Sequence, residues 1–397
     1  MKWRPLRLKN PVMHYEWGQR GKGAFIPRLI GLHDWDENLP WAELWMGAHP
    51  KAPSRTEIEG REAGLDELIH SFPEELLGNR ILNKFGAELP FLLKVLTAAE
   101  PLSIQAHPDA QRARELHRLQ PEHYPDARHK PEIAIALENF ECLVGIGSPE
   151  ILENKLRKYP EIRKLVAEDI DPTRPDSERI FKKLISLSID APDRIEEAVN
   201  ALHKRLLTKS RDSLERMEKL FLSLSTKYDH TDVGLLLIFL MNHLALTPGD
   251  AVYLGPGIPH AYISGAIVEC MANSDNVVRA GLTPKHKDAR TLLLIADCSS
   301  APSVIHSASE NPVTVYETPA PEFRVTRYNC REEYTVHIAP GTLPVMIFIL
   351  EGKGLIRWGP GNSEKLTTGE VAFIPAALQS CQLGFYPGTI AFSVHVP

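Results

Sequence analysis

The order of three patterns along the chain constrains its fold more than any other feature of the sequence. From Met1 to about Ile146 the chain is rich in Pro, Trp and short apolar runs such as PFLLKVL and IAIAL, which are typical of short strands bounded by turns. From Pro149 to about Asp232 the apolar residues recur at helical spacing, and after Leu244 the strand-like pattern returns. This order predicts a mainly β fold in which a helical module is inserted into one β domain and a second β unit follows.

Two segments of the central region have the periodicity of amphipathic helices. Their apolar positions are Ile195, Ala198, Val199, Leu202 and Leu206 on the first, and Leu214, Met217, Leu220, Phe221 and Leu224 on the second. A further apolar run, Val233 to Leu246, is too short to cross a bilayer, and we interpret it as a buried helix. The predicted divisions are the first part of the principal β domain (1–148), a helical domain (149–232), the second part of the β domain (233–310) and a C-terminal β domain (311–397).

Composition narrows the class of protein. With 397 residues, 43% hydrophobic and 24% charged, the chain is typical of a soluble protein with more than one core. A net charge of −6 without a long Lys/Arg run gives no basis for nucleic-acid binding. The five cysteines are widely spaced and contain no CxxC, which favours a reducing, cytoplasmic location over a disulfide framework. We expect no membrane partner, and a monomer or weak homo-oligomer.

A short pattern occurs twice in the two β regions. Gly249 to Pro256 and Gly369 to Pro375 both read glycine, acidic residue, alternating apolar strand and then proline, which is typical of a jelly-roll barrel. In the first copy His260 follows the proline, whereas the residues after Pro375, AALQS, contain no His, Asp or Glu. The sequence therefore predicts two barrels, of which the first carries a metal ligand.

Candidate metal ligands lie in three separate segments. Ser103, Gln105 and His107 alternate along a predicted strand, so their side chains should share one face. Glu132 begins the apolar run EIAIAL, where a nearby cation would offset the cost of burying a carboxylate, although pairing with Lys or Arg explains that residue equally well. Together with His260, these side chains offer N and O ligands suited to Zn, with Mn, Co or Ni as alternatives.

Four cations accompany the candidate ligands: Lys94, Lys130, Arg279 and Lys285. Lys94 interrupts the apolar run PFLLKVL and is predicted to reach a polar cavity. Arg279 offers the planar guanidinium group that binds phosphate or an enediolate. The alternative is that Lys94, Arg279 and Lys285 are ordinary surface charges. No phosphate-binding glycine loop, GxSxG elbow or dinucleotide fingerprint is visible, which excludes the commonest kinase, hydrolase and dehydrogenase classes.

Several blocks together resemble the type I mannose-6-phosphate isomerases. The blocks are LPFLLKVL (89–96), PLSIQAHPD (101–109), YPDARHKPE (124–132), PHAY (259–262) with the residues up to Lys285, Trp17-Gly18, and AELWMGAHP (42–50). The resemblance covers most of residues 15–288. Two departures, Arg128 in place of the usual Asn and Ala48 in place of the common Thr, replace no ligand.

The resemblance implies a zinc enzyme with a catalytic cupin barrel, an inserted helical domain and a second cupin-like domain. It implies one Zn²⁺ per chain, held by Gln105, His107, Glu132 and His260, with Arg279 as the active-site arginine. The implied reaction interconverts mannose 6-phosphate and fructose 6-phosphate through a cis-enediol. We expect the remaining substrate-binding side chains to be Ser103, Lys94, Lys285, Tyr262 and Trp17.

Glu269 is the leading candidate for the general base, because it lies on the apolar strand IVECM, where a carboxylate without a function would be costly. Lys130 and Arg279 are expected to stabilise the enediolate. His49, Lys130 or a zinc-bound water are alternative bases. A metal-dependent cupin oxygenase and a non-catalytic sugar-phosphate-binding cupin remain alternative functions.

Overall fold

The computed structural model describes residues 2–167, 171, 175–307, 311–339 and 344–397, and over these residues the chain is mainly β-sheet with helices concentrated in its middle, as predicted. Across the same residues, no helix combines the length and apolar character that crossing a bilayer requires. Up to residue 146 the elements are β1 (Leu6–Leu8), β2 (Val12–Met13), α1 (Phe25–Leu29), β3 (Glu43–Gly47), β4 (Arg55–Ile58), β5 (Arg61–Gly64), α2 (Leu65–Ser71), α3 (Pro73–Phe85), β6 (Phe91–Ala98), β7 (Ile104–Ala106), α4 (Ala110–Leu119), β8 (Glu132–Ala136) and β9 (Phe140–Ile146).

The helical segment and the two β regions that follow it complete the chain. The helical segment contains α5 (Pro149–Lys158), α6 (Pro160–Val166), α7 (Ser177–Asp190), α8 (Pro192–Leu207) and α9 (Arg216–Leu224). The next region contains α10 (Gly234–Leu237), β10 (Met241–Leu246), β11 (Ala251–Leu254), β12 (His260–Ala272), β13 (Val278–Gly281), α11 (Ala289–Ile295) and β14 (Ser303–Ile305). The C-terminal region contains β15 (Val313–Tyr316), β16 (Arg324–Cys330), β17 (Tyr334–Ile338), β18 (Val345–Glu351), β19 (Lys353–Trp358), β20 (Asn362–Thr367), β21 (Val371–Ile374), β22 (Cys381–Phe385) and β23 (Thr389–His395).

The helices predicted from apolar periodicity are confirmed as α8 and α9, and the runs PFLLKVL and IAIAL form β6 and β8. The buried helix predicted over Val233 to Leu246 is wrong for most of its length, because only α10 is helical and Met241–Leu246 forms β10 against β9. An apolar run alone does not distinguish a buried helix from a strand. Here the side-chain amide of Asn242 donates to the carbonyls of Val144 and Ile146, so this residue belongs to the strand pairing.

The first region also contains helices that the sequence analysis did not anticipate. Leu65, Leu68 and Ile69 of α2 are buried at helical spacing, and Leu77 and Ile81 of α3 are buried four positions apart. The prediction for this region depended on its prolines, tryptophans and short apolar runs, and so it missed the change of period from two to about 3.6.

The large sheet is folded into two layers that share β12. The second half of β12, from Gly265 onward, pairs with β6 and β8, and we call the sheet of β14, β11, β8, β12, β6, β3 and β2 layer I. The first half of β12 pairs with β7 and β9, and with β10 and β13 it forms layer II. Gly265 lies at the junction with a φ of +110°, and a Cβ there would lie 2.5 Å from the carbonyl oxygen of Asn139. Only glycine therefore allows β12 to pass from one layer to the other.

Alternation along the strands gives each layer an inner and an outer face. Ala134 of β8 and Val144 of β9 belong to one core between the layers, so the inner faces meet there. The outer face of layer II, including Ala261 and Val278, packs against the helical segment, whose buried side chains share its core. The outer face of layer I, including Val268, packs against the C-terminal region.

The C-terminal region is a pair of packed sheets. A six-stranded sheet, in the order β1-β21-β18-β23-β16-β15, shares a core with a four-stranded sheet in the order β17-β22-β19-β20. The six-stranded sheet includes β1 from the N-terminal end of the sequence, in which Leu6 is opposite Phe373 of β21. The N-terminal strand thus lies with the C-terminal region, although the predicted division assigned it to the first domain.

The two copies of the repeated sequence pattern adopt the same local structure. In each copy the acidic side chain, Asp250 or Glu370, accepts hydrogen bonds from the backbone and hydroxyl of the threonine three residues earlier, Thr247 or Thr367. The glycine in each turn has a positive φ, and a strand, β11 or β21, follows. The weak sequence repeat therefore corresponds to a repeated turn and strand.

We expect acid to weaken the C-terminal region through His395 on β23. Burial, together with Arg324 and Arg80, lowers the pKa of His395 from its ordinary value of 6.5 to about 4. The unfolded chain then binds a proton as the pH falls below 6.5, whereas the folded chain does so only near 4, so stability is lost as the pH falls through this interval. Urea unfolding of the chelated protein measures this effect. Between pH 7 and 4.5 the free energy of unfolding should fall by roughly 2 kcal/mol less in His395→Gln than in the parent. His70→Gln, on α2, is the control, and equal losses in the parent and His395→Gln would contradict the assignment.

Candidate metal centre

Three neighbouring strands of layer II place one side chain each in a row on the inner face. In the strand register His260 of β12 is opposite Gln105 of β7, and Gln105 is opposite Arg279 of β13. Val278 and Ala280, on either side of Arg279, belong to the core shared with the helices, so Arg279 points the other way, between the layers. His260, Gln105 and Arg279 thus form a row of side chains that faces layer I, as the alternation around Gln105 predicts.

Glu132, at the start of β8 in layer I, faces this row and completes a cluster with His107 and His260. Its Oε2 atom lies 3.3 Å from Nε2 of His107 and 3.5 Å from Nε2 of His260. The three side chains are buried, and one ligand atom from each lies within 4.8 Å of the others. The structure therefore brings together three of the four predicted ligands, which are up to 153 positions apart in the sequence, at the spacing that one metal ion requires.

Backbone carbonyls fix the orientation of both imidazoles. Nδ1 of His107 donates to the carbonyl of Asn276 at 2.8 Å, and Nδ1 of His260 donates to the carbonyl of Ile258 at 2.9 Å. A carbonyl can only accept, so each ring presents the lone pair of its Nε2 to the centre of the cluster. Among the described residues, Nε2 of His107 and Oε2 of Glu132 are buried without a hydrogen-bond partner. Buried polar atoms in that state need a partner, and a cation between them would supply it.

The charges of the cluster suit a cation. Burial lowers the pKa of His107, so the ring is neutral and can act as a ligand. Burial alone would raise the pKa of Glu132, but its contacts with His107, Lys130 and His260 hold that pKa well below its usual range. Two imidazoles that present Nε2 and one carboxylate are a donor set that divalent transition metals, Zn²⁺ among them, prefer.

Gln105 lies beside the cluster as a fourth polar group. One terminal atom of its amide is 3.4 Å from Nε2 of His260, and the other is 3.3 Å from the hydroxyl of Ser103. If the amide oxygen of Gln105 occupies the position next to Nε2 of His260, it would reach an ion held by His107, Glu132 and His260. Ser103, predicted to bind substrate, contacts Gln105 and is half-buried at the edge of the site.

Arg279 and Lys285 form a pair of cations beside the metal cluster. Burial lowers the pKa of Arg279, and burial together with Arg279 lowers the pKa of Lys285. Within the part of the chain that the structure describes, neither side chain forms an ion pair with a carboxylate, although Glu43 partly opposes the lowering of the pKa of Lys285. The ammonium of Lys285 lies 5.8 Å from the ring centre of Tyr15. Two cations that form no ion pair with a carboxylate among the described residues have the charge that suits an anion with several oxygens.

Lys94 lies in a different environment, in a buried network on the inner face of layer I. Its ammonium is 2.5 Å from Glu269 and 3.7 Å from Glu43, and the hydroxyl of Tyr262 donates to Glu269 at 2.7 Å. Burial would lower the pKa of Lys94, but Glu269 and Glu43 raise it instead. Two of the four predicted cations, Lys94 and Lys130, are thus paired with carboxylates, whereas Arg279 and Lys285 form no such pair among the described residues.

Glu269 is stabilised in its buried position by the same network. Sequence reasoning took a buried carboxylate on this strand as costly and hence functional, but Lys94 and Tyr262 offset that cost. Burial raises the pKa of Tyr262 well above its ordinary value, so its hydroxyl stays protonated and donates to the carboxylate. An ammonium and a donating hydroxyl are partners that suit a carboxylate, so the inner face of layer I accommodates the Glu269 side chain.

His49 and Lys130, the alternative bases, are both engaged. The backbone N–H of Lys51 donates to Nδ1 of His49, which leaves the proton of this ring on Nε2, 3.6 Å from Asp275. Burial lowers the pKa of His49, so its ring is neutral, yet it lacks an open lone pair. The ammonium of Lys130 lies 3.2 Å from Oε1 of Glu132, where it acts as a counter-charge.

Two remaining features complete the surroundings of the site. Trp17, predicted to bind substrate, is half-buried and stacks on Tyr15 with ring centres 5.7 Å apart, which places it near Lys285. Sequence reasoning assigned no role to Glu43, although Glu43 contacts Lys94 and accepts from the indole of Trp45. The signal that identified Lys94, a charge inside an apolar strand, was also present at Glu43.

Comparison with known sequences identifies the family of the chain. A family described as "Phosphomannose isomerase type I, catalytic domain" matches residues 6–147. Mannose-6-phosphate isomerase 2 of Arabidopsis thaliana is 38% identical over 401 residues, which cover 94% of this chain and 89% of that protein. Mannose-6-phosphate isomerase of Mus musculus is 36% identical over 344 residues, which cover 81% of each chain.

Solved structures agree with the sequence comparison. The crystal structure of a mutant phosphomannose isomerase from Salmonella typhimurium superposes with a TM-score of 0.86 at 29% identity, covering 99% of this chain and all of that one. A crystal structure of mannose 6-phosphate isomerase bound with zinc and yttrium has a TM-score of 0.84 at 28% identity and covers 99% of both chains. The likeness extends over the whole chain, including the helical segment and the C-terminal sheets.

Proposed function

This chain belongs to the family of type I phosphomannose isomerases, and on that premise we propose that it interconverts mannose 6-phosphate and fructose 6-phosphate with one bound Zn²⁺. The observation that carries the proposal is the row of His260, Gln105 and Arg279 facing Glu132. It sets the candidate metal ligands directly beside Arg279, a cation that forms no ion pair with a carboxylate among the described residues. A metal-dependent isomerase of a phosphorylated sugar needs this combination, since the reacting carbonyl and the phosphate belong to one small molecule.

We propose that His107, Glu132, His260 and Gln105 hold the ion. Support comes from the clustering of three of them, the two unpartnered buried atoms and the carbonyls that orient the imidazoles. A relative of the same fold has been solved with zinc. When bound, the ion supplies Lewis-acid polarisation of the sugar oxygens and stabilises the charge of the enediolate.

Binding of the substrate divides between two regions in this proposal. Arg279 and Lys285 take the anionic groups of the substrate, because they are close together and lack carboxylate partners in the described chain. Trp17 and Ser103 border the site, and Lys130 provides positive charge next to Glu132. Lys94 and Tyr262 act through Glu269 instead of binding phosphate, since both contact that carboxylate inside the fold.

We retain Glu269 as the proposed base that moves the proton between C2 and C1. Its carboxylate lies on the inner face of layer I, whereas His49 has no open lone pair and Lys130 is a paired cation. Lys94 and Tyr262 orient the two carboxylate oxygens.

The finer fold assignment is part of the same proposal. We infer that layers I and II form one cupin-like jelly roll and the two C-terminal sheets a second, which the matched turns at Asp250 and Glu370 support. We propose the divisions 1–148, 149–232, 233–310 and 311–397, which the position of the helical elements between β9 and β10 supports. In this division β1 belongs to the first part of the sequence but pairs with β21 of the C-terminal region. All five cysteines are unpaired, which fits the proposed cytoplasmic location.

A substrate comparison tests the function. Protein loaded with one equivalent of Zn²⁺ should convert mannose 6-phosphate to fructose 6-phosphate, and kcat/KM for unphosphorylated mannose should be lower by roughly 100-fold or more, because the anion site then stays empty. Coupled detection of fructose 6-phosphate and of fructose measures both rates. Consumption of O₂ without isomerisation would favour the oxygenase alternative, and tight sugar-phosphate binding without turnover would favour the non-catalytic one.

A further inference from the structure

We propose that Asn276 is a positioning residue that fixes the distance between two of the metal ligands. This inference rests on the proposed metal site and concerns a residue that contacts neither the ion nor the substrate in that proposal. Asn276 lies in the loop between β12 and β13 and is fully buried. Its backbone and its side chain contact two different ligand-bearing segments.

The backbone of Asn276 holds His107. The carbonyl oxygen of Asn276 accepts from Nδ1 of His107 at 2.8 Å, which sets both the tautomer and the plane of that imidazole. A displacement of this carbonyl would turn the ring and move its Nε2 away from Glu132. The position of His107 therefore depends on what holds the backbone at residue 276.

The side chain of Asn276 holds the segment that leads to Glu132. Its amide nitrogen donates to the backbone oxygens of Asp126, at 2.7 Å, and Arg128, at 2.9 Å, and lies 3.1 Å from Oδ1 of Asp126. All three neighbours are acceptors, so the orientation of the amide is determined. The segment from Asp126 runs directly into β8, which begins at Glu132.

Neighbouring contacts make this connection rigid. The hydroxyl of Ser274 lies 2.9 Å from Oδ1 of Asp126 and 3.2 Å from the carbonyl of Arg128, so its single proton is shared between these acceptors, and it accepts from the backbone N–H of Asn276. The other carboxylate oxygen of Asp126 accepts from the backbone N–H of Asp275 at 2.8 Å. Ser274, Asp275 and the side chain of Asn276 thus make six such contacts to Asp126 and Arg128, so the loop and the 126–128 segment behave as one unit.

The same loop continues into the anion site. Arg279 follows Asn276 by three residues on β13, and Asp275 contacts Lys51 and faces His49. A change at Asn276 should therefore weaken metal binding first, with a smaller effect on the binding of the sugar phosphate. Outer contacts of this kind typically contribute 10- to 100-fold to metal affinity.

The test compares two buried asparagines of the same loop region. Asn276→Ala removes the donors, and Asn276→Asp sets a carboxylate against three oxygens. Asn273→Ala is the matched control, because the side chain of Asn273 is also buried but reaches only the carbonyl of Leu89, at 3.5 Å, among the described residues. Titration of the chelated proteins with Zn²⁺ and competing chelator should give a Kd raised roughly 10- to 100-fold in both Asn276 variants and unchanged in Asn273→Ala.

A spectroscopic measurement separates positioning from general destabilisation. With Co²⁺ in place of Zn²⁺, the visible absorption reports the geometry of the ligands, and we expect it to change in Asn276→Ala and not in Asn273→Ala. Should the Asn276 variants fail to fold, Ser274→Ala removes the neighbouring hydroxyl contacts alone and should raise the Kd roughly fivefold. Zn²⁺ affinity within twofold of the parent and an unchanged Co²⁺ spectrum in a folded variant would overturn the inference. A parent protein that binds no metal would instead refute the metal site itself.

Discussion

Replacing Glu269 with glutamine should lower isomerisation and the exchange of the C2 proton with solvent by about 100- to 10,000-fold, the range that a positioned base contributes. Glutamine preserves the size of the side chain and still accepts from Tyr262 and Lys94, so the buried network keeps its shape. What is removed is the capacity to take a proton. Single-turnover conversion of mannose 6-phosphate labelled with deuterium at C2 measures both rates in one reaction.

Two measurements keep this result specific. The variant should retain about one Zn²⁺ per chain, because Glu269 is not among the proposed ligands. Glu115→Gln, an exposed glutamate on α4 paired with Arg112, controls for the change of residue type and should behave as the parent. Exchange at the parental rate in Glu269→Gln would remove Glu269 from the role of base.

Replacing His260 with alanine should release the metal and lower isomerisation by at least roughly 1,000-fold, because the Lewis acid contributes several kcal/mol to stabilising the transition state. His260 closes a cluster whose other members, His107 and Glu132, come from segments more than 120 positions earlier. Two ligands and an amide are too few for a closed site. Elemental analysis after dialysis should show metal content falling from about one ion per chain to nearly none.

The fold itself should tolerate this change. Lys130 remains 3.2 Å from Glu132, so the carboxylate keeps a counter-charge when the metal is absent. The thermal midpoint of His260→Ala should therefore fall below that of the chelated parent only by the loss of the hydrogen bond to Ile258 and of the packing of the ring, so the protein still folds. His70→Ala, on α2, should retain both metal and activity. Full activity of His260→Ala would refute the metal centre.

The sequence predicted correctly those features of the fold that depend on residues close to one another along the chain. The periodicity of α8 and α9, the alternation around Gln105 and the repeated turn at Asp250 and Glu370 each involve residues within about a dozen positions. Each of these agrees with the structure. The apolar run after Val233 was misjudged because its strand pairing with β9 involves residues about a hundred positions away.

Partnerships between charged residues were harder to predict. Lys94 looked like a cation available to phosphate, but strand register puts it beside Glu269, 175 positions later, and near Glu43 on the next strand. No periodicity reveals such a pair, since register is set by packing of whole sheets. The connection of Asn276 to both His107 and Arg128 is of the same kind.

The sequence by itself determined which chemical groups are present, which of them share a strand face, and where the amphipathic helices α8 and α9 lie. Residue type and short-range periodicity are properties of the chain before it folds. Only the tertiary structure decided which charges meet. It brings Glu132 from layer I against His260 from layer II, pairs Lys94 with Glu269, and leaves Arg279 without a carboxylate among the described residues. Coulomb interaction and desolvation act over a few ångströms in space, so the site exists only once two distant layers are packed together.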